Sequence, residues 1–217
     1  GYGYLFKFLS KNKLKIMDLE NLVFIKGLFF MGLLSAIINF FVPLTNSVSL
    51  IILLIGMLIN ILFFKKFLFD KKILIFIFFV IFLSSFLSIN AGTNDDFNYH
   101  LDTILNYKSK TLFEIEHGRR ISYNSFWLFL HAVISIDYFS STYFVLGSVI
   151  YSITVYDSLK LFRRSIIKEK YFVGICSFFV IIFLIGVLNK YKEFGTDVPG
   201  FILSIYIFYI LLNHSFD

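Results

Sequence analysis

The chain has 217 residues, of which 58% are apolar, 21% aromatic and 16% charged, and its formal net charge is +6. Soluble domains are nearer half apolar and a quarter charged, so this composition predicts an integral membrane protein. It excludes a disordered chain, a nucleic-acid-binding protein and a secreted scaffold held by disulfides, because the chain is apolar along most of its length and has one cysteine, Cys176.

Five apolar segments of 17 or more residues predict spanning helices, because a bilayer core about 30 Å thick needs roughly 20 apolar residues in a helix. A sixth begins at Val198 and is interpreted as a span cut short by the end of the fragment. A further apolar segment, 125–136, is too short to cross and is interpreted as a re-entrant or interfacial helix. The predicted fold class is therefore all-α, a polytopic transmembrane helical bundle in a single membrane domain. The predicted spans are 22–41, 48–64, 73–89, 142–162, 171–188 and 198–212.

Basic residues are unevenly distributed among the segments that connect these spans. Lys and Arg cluster before the first span, in 65–72 and in 160–170, and are sparser in the other connections. Since basic loops stay in the cytoplasm, the pattern predicts a multi-pass protein of the cell membrane with its N-terminal side cytoplasmic. It places the long loop 90–141, with surface helices, and the connection ending at Asp197 together on the extracytoplasmic side. Because the chain starts without Met and ends after an apolar run, we expect a fragment of a longer protein.

The long loop opens with a dense group of polar residues. Asp95, Asp96, His100 and Asp102 lie within one predicted amphipathic helix. Acids in a first helical turn commonly cap the helix, and that structural role stays open. Because a cap needs only one acid, the group also suggests a general base with an orienting partner, or oxygen ligands for Mg²⁺ or Mn²⁺. The predicted apolar face of this helix consists of Phe97, Leu101, Ile104 and Leu105.

Two further polar groups lie on the same predicted side. Arg119 and Arg120 offer forked donors that suit a phosphate, although lipid headgroups or an ion pair with Glu114 or Glu116 would also account for them. Asp197 lies where the last predicted span begins and fits the N-cap of its helix, a role that does not exclude a ligand.

Three other ionisable residues of the apolar segments are interpreted as interface residues or local pairs. They are His131, Asp137 and Asp157, the last one turn from Lys160.

The loop carries four short motifs in order: Asp95, Tyr99-His100-Leu101, His117-Gly118-Arg119 and Asn124-Ser125-Phe126-Trp127. A predicted span precedes them, and two spans with a basic turn and a second acid follow. This order resembles the GT-C class of membrane glycosyltransferases, and within it a bacterial group of multi-spanning proteins without an assigned activity. The resemblance covers roughly 73–212 and implies a partial GT-C-like fold.

The resemblance also implies a function. The reaction would be an inverting transfer of a sugar from a polyprenyl-phosphate-linked donor to a cell-envelope acceptor, with membrane lipid around the protein. Asp95 or Asp96 would be the general base or a metal ligand, Asp197 the second acid, and Mg²⁺ or Mn²⁺ the cofactor. We expect the fragment alone to be inactive. The implied substrate-binding residues are Tyr99, His100, His117, Arg119 and Arg120.

The alternative is a non-enzymatic multi-pass membrane protein, such as a flippase, a transporter or an assembly subunit. A transporter places ionisable groups at the bilayer midplane, whereas an interfacial transferase gathers acids at one membrane surface. The sequence shows acids near 95–102 and at Asp197 and no convincing midplane charge, which favours the transferase.

Overall fold

The computed structural model describes residues 2, 3, 5, 20–64, 71–87, 100–115, 126–136, 145–188 and 197–214. Within these ranges the chain is helical, with turns between the helices, which agrees with the predicted all-α class. The helices are α1 (Glu20–Asn39), α2 (Asn46–Phe64), α3 (Lys71–Leu87), α4 (Leu101–Ser109), α5 (Phe126–Ile134), α6 (Val145–Ile167), α7 (Tyr171–Gly186) and α8 (Asp197–His214).

The structure contradicts the predicted transmembrane bundle. In the described ranges, no helix combines the length and the apolar composition that crossing a membrane requires. The prediction accepted apolar runs of as few as 17 residues, which as a helix are shorter than a bilayer core about 30 Å thick. Helices α3 and α7 have 17 and 16 residues, so they extend about 26 and 24 Å at 1.5 Å per residue. Helix α6 is longer but includes Asp157, Lys160 and Arg163.

This correction covers every prediction that assumed membrane crossing. The six spans, the extracytoplasmic loop with its surface helices, the partial GT-C-like membrane fold and the location in the cell membrane are replaced by an all-helical fold in which no span is identified.

Helix α5 is the centre of one group of helices. Residues 127–133 of this short helix are all buried, and α1, α2 and α4 pack around it. A helix that is apolar on every side is stable only when its neighbours cover it. The short helix predicted in 125–136 therefore exists, but it lies inside the helix packing and not at an interface.

Helix α6 organises the second group, in which it packs closely against α3 and α7 and more sparingly against α8. Its buried residues include Ser152, Thr154 and Ser158. Each of these hydroxyls donates to the carbonyl four residues earlier, at 2.7, 2.8 and 2.7 Å. Because these bonds form within the helix, the short side chains are satisfied and neighbouring helices can approach closely.

The first residues of the chain pack against α1 and α2. The Tyr2 hydroxyl donates to the Ile52 carbonyl at 2.5 Å. A Cβ added to Gly27 would lie 2.7 Å from the backbone nitrogen of Gly3, and one added to Gly56 would lie 2.7 Å from the Tyr2 ring. Glycines at these two positions of α1 and α2 thus make room for the N-terminal residues.

Large apolar side chains are exposed on the outer faces of several helices. On α3, Phe78, Phe82 and Phe86 are 72%, 66% and 68% exposed, and α1, α2 and α7 also expose large apolar residues. An apolar exterior of this extent is typical of a surface that contacts other molecules.

Candidate functional site

Most residues of the predicted site lie outside the described ranges. Their roles in catalysis and in binding of substrate or metal therefore stay predictions. These residues are Asp95, Asp96, Tyr99, His117, Arg119 and Arg120. The structure locates the other two: His100 directly precedes α4, and Asp197 is the first residue of α8.

Helix α4 buries a different face from the one predicted. Ile104 is fully buried as expected, but Leu105 is 42% exposed. His100, Tyr107 and Lys108 are buried in its place. Apolar periodicity alone predicted the wrong face, because the side of α4 that packs on α5 meets a carbonyl group and an aromatic ring. The carbonyl accepts a hydrogen bond from Lys108, and the ring stacks on Tyr107.

Lys108 anchors α4 to the end of α5. Its Nζ is 2.6 Å from the carbonyl oxygen of Ser135, the residue that follows the last helical residue of α5, Ile134. The C-terminus of a helix carries partial negative charge, so it favours a cation there. The buried ammonium group thus caps α5 and fixes α4 beside it.

Tyr107 provides a second anchor of α4 on α5. Its ring stacks on Phe129 of α5, with centroids 4.1 Å apart and planes 16° from parallel. Its carbonyl oxygen accepts from the backbone nitrogen of Leu44 at 2.8 Å and from Nδ2 of Asn39 at 3.0 Å. Burial raises the pKa of the Tyr107 hydroxyl to about 12.

A second buried polar cluster joins α6 and α8. The Tyr206 hydroxyl donates to the Asp157 carboxylate at 2.6 Å, and the Tyr209 hydroxyl donates to Oγ of Ser158 at 2.6 Å. Asp157 is only 2% exposed. The cluster therefore links one face of α8 to two neighbouring residues of α6.

The two tyrosines of this cluster stay protonated. Burial, followed by the charge of Asp157, raises the pKa of Tyr206 well above its ordinary value. Burial raises the pKa of Tyr209 to about 12. Both hydroxyls are therefore hydrogen-bond donors at neutral pH, and neither can act there as a general base.

Sequence reasoning missed this cluster, since it considered only the neighbours of Asp157 in the chain. The hydroxyl that donates a hydrogen bond to Asp157 belongs to Tyr206, 49 positions later in the chain. An aspartate within a largely apolar helix is a usable indication, because a fully buried carboxylate is almost always paired. Tyr206 and Tyr209, three residues apart on one face of a helix, indicate where the donors come from.

The predicted divalent-cation site stays a prediction. Among the described residues, no three His, Cys, Asp or Glu side chains are grouped so that they could hold a metal ion. The proposed ligands Asp95 and Asp96 lie outside those residues.

Comparisons of the chain with protein-family models, with curated proteins and with solved structures find no match. The resemblance to the GT-C class therefore depends on the short motifs of the sequence alone.

Proposed function

We propose that the chain carries a glycosyltransferase site that transfers a sugar from a polyprenyl-phosphate-linked donor to an acceptor hydroxyl. The observation that supports the proposal best is the firm anchoring of α4, the helix that directly follows the motif residues Asp95 and Tyr99-His100.

This anchoring suits a catalytic role because α4 has only nine residues, too few for a stable isolated helix. Tertiary contacts must therefore hold it, and Tyr107 and Lys108 supply two such contacts, both with α5 and its end. A catalytic acid acts only when its support is rigid to a fraction of an ångström. Asp95 and Asp96 stand a few residues before this rigid support in the sequence.

In the proposed reaction, Asp95 or Asp96 accepts the proton of the acceptor hydroxyl while the hydroxyl oxygen attacks the anomeric carbon. The bond from that carbon to the phosphate oxygen breaks, and the phosphate leaves with the bonding electrons. Arg119 and Arg120 donate hydrogen bonds to the departing phosphate, which stabilises its growing charge. Attack opposite the leaving group inverts the configuration of the sugar.

Asp197 is the second acid of the proposal. It is the first residue of α8, and the partial positive charge at a helix N-terminus favours an acid in the first turn. A bound Mg²⁺ or Mn²⁺ would add positive charge beside the phosphate, with Asp197 and whichever of Asp95 and Asp96 is not the base as its ligands.

The test uses the full-length protein and synthetic short-chain polyprenyl phosphates that carry radiolabelled hexoses. The variants Asp95→Asn, Asp96→Asn and Asp197→Asn are measured one at a time. We expect replacement of the general base to lower the rate of sugar transfer by at least about 100-fold. The matched control is Glu169→Gln, which changes an exposed acid in the turn between α6 and α7. Unchanged transfer by all three aspartate variants would contradict the assignment. Addition of EDTA, followed by Mg²⁺ or Mn²⁺, tests the cation separately.

A further inference from the structure

Among the described residues, helix α8 packs less extensively against α6 than α3 and α7 do. Where the burial of α8 residues is described, at 200–202 and 204–209, the buried side chains form a stripe at helical spacing. They are Ile202, Ile205, Tyr206 and Tyr209. Apolar contacts along such a stripe are not directional, so they leave the rotation and the axial position of the helix weakly defined.

Hydrogen bonds between side chains supply the direction that the apolar stripe lacks. Tyr206 and Tyr209 each donate to a different residue of α6, Asp157 and Ser158, at 2.6 Å. A hydrogen bond weakens steeply when its angle departs from linearity. Two such bonds, one turn apart on α8, are satisfied together at only one rotation of the helix.

The burial of a carboxylate supports the same interpretation. Asp157 is 2% exposed, and an ionised group at that depth loses its hydration. A well-packed apolar residue in its place would often give equal or greater stability. Buried polar groups of this kind are best attested as devices that specify register.

We propose that Asp157, Ser158, Tyr206 and Tyr209 form a latch that sets the rotation and register of α8 against α6, and that these four residues position Asp197. The part that concerns Asp197 rests on the proposed function. From position 197 to position 206 the helix extends about 13 Å, so the latch and the first residue of α8 belong to one rigid rod. A slip of one residue would rotate the rod by about 100° and shift it by about 1.5 Å.

The latch is tested by a distance measurement between two nitroxide spin labels in the full chain. The labels are attached to Ile167→Cys on α6 and Ile207→Cys on α8, which replace side chains that are 70% and 56% exposed, and Cys176→Ser removes the native thiol. We expect one narrow distance distribution in this parent. Tyr206→Phe with Tyr209→Phe should broaden or shift it by up to about 8 Å, the displacement of a side chain when the helix turns by one residue.

Tyr151→Phe is the matched control, because the buried Tyr151 hydroxyl of α6 donates to the Leu184 carbonyl of α7 at 3.2 Å. It should leave the distribution narrow. Asp157→Asn keeps an oxygen acceptor for Tyr206, so the distance distribution should stay narrow. Asp157→Leu removes the acceptor, so the distribution should broaden. A parent-like distribution in the double phenylalanine variant would overturn the latch, and so would equal broadening in the Tyr151→Phe control.

Circular dichroism shows whether the double variant keeps its helical content. If it does not, Tyr206→Phe and Tyr209→Phe are measured singly against Tyr151→Phe, with the same two outcomes. In the sugar-transfer assay the double variant should lower kcat by about 10- to 100-fold with little change in KM. A broadened distribution with unchanged kcat would overturn the role in positioning Asp197. Absence of transfer by the parent would count against the proposed function, while the distance measurement would still decide the latch.

Discussion

Lys108 shows how a single charged residue is accommodated inside a very apolar chain. Its ammonium group is buried, yet its Nζ lies 2.6 Å from a carbonyl at the end of α5, where helical carbonyls lack partners within the helix. Removing the ammonium group would lose a charged hydrogen bond and leave the Ser135 carbonyl buried without it.

We expect Lys108→Met, which keeps the aliphatic stem, to lower the free energy of unfolding by about 1–3 kcal/mol, the usual range for a hydrogen bond to a charged group. Denaturant titration monitored by circular dichroism measures this change. Lys110→Met is the control, because Lys110 is exposed at the end of the same helix. An equal effect of the two variants would show that the cap on α5 contributes nothing.

At the scale of helices, the apolar pattern predicted the secondary structure but not which residues each helix contacts. Long apolar runs favour helices, and the described chain is all-helical. The pattern failed for the buried face of α4, because that face is set by what α5 offers. It failed for Asp157 because the residue that donates to it lies 49 positions away. The predicted membrane spans were wrong, since no helix among the described residues is long and apolar enough to cross a membrane.

Close contact of the N-terminal residues with α1 gives a prediction at the same scale. In Gly27→Ala the new Cβ would lie 2.7 Å from the backbone nitrogen of Gly3, and backbone cannot move aside as a flexible side chain can. We expect this variant to lower the free energy of unfolding by about 1–3 kcal/mol, as overpacking commonly does. In Gly200→Ala the added Cβ has nothing within 4 Å. Because alanine is a better helix former than glycine, we expect this variant to raise the free energy of unfolding by up to about 1 kcal/mol. Denaturant titration of both variants measures these changes. Equal free energies of unfolding for Gly27→Ala and Gly200→Ala would contradict the close contact between Gly27 and Gly3.

Across the whole molecule, buried tyrosines make the fold sensitive to alkali. The pKa values of Tyr107 and Tyr209 are raised from 10.0 to about 12, chiefly by burial. In the unfolded chain the same hydroxyls ionise near pH 10. A raised pKa in the folded state contributes stability that is fully present below pH 10 and is lost as the pH rises through about 12.

We therefore expect the free energy of unfolding to fall between pH 10 and pH 12. The double variant Tyr107→Phe and Tyr209→Phe should show a shallower fall, because neither ring can then ionise. Replacement of the exposed Tyr171 by Phe should follow the parent. Denaturant titrations at several pH values measure the slopes, and identical slopes for the parent and the double variant would contradict the prediction.

The central position of α5 has a consequence for the order in which the protein is made. A ribosome delivers α1 and α2 long before residue 126, yet both pack on α5, and Ser49 of α2 lies 3.5 Å from the Ala132 carbonyl of α5. Their inward sides stay uncovered while some sixty further residues are translated, from 65 to 125. Exposed apolar surface on a nascent chain promotes misassociation. Slow translation before residue 126 would thus lengthen the period in which the nascent chain exposes this apolar surface and can misassociate.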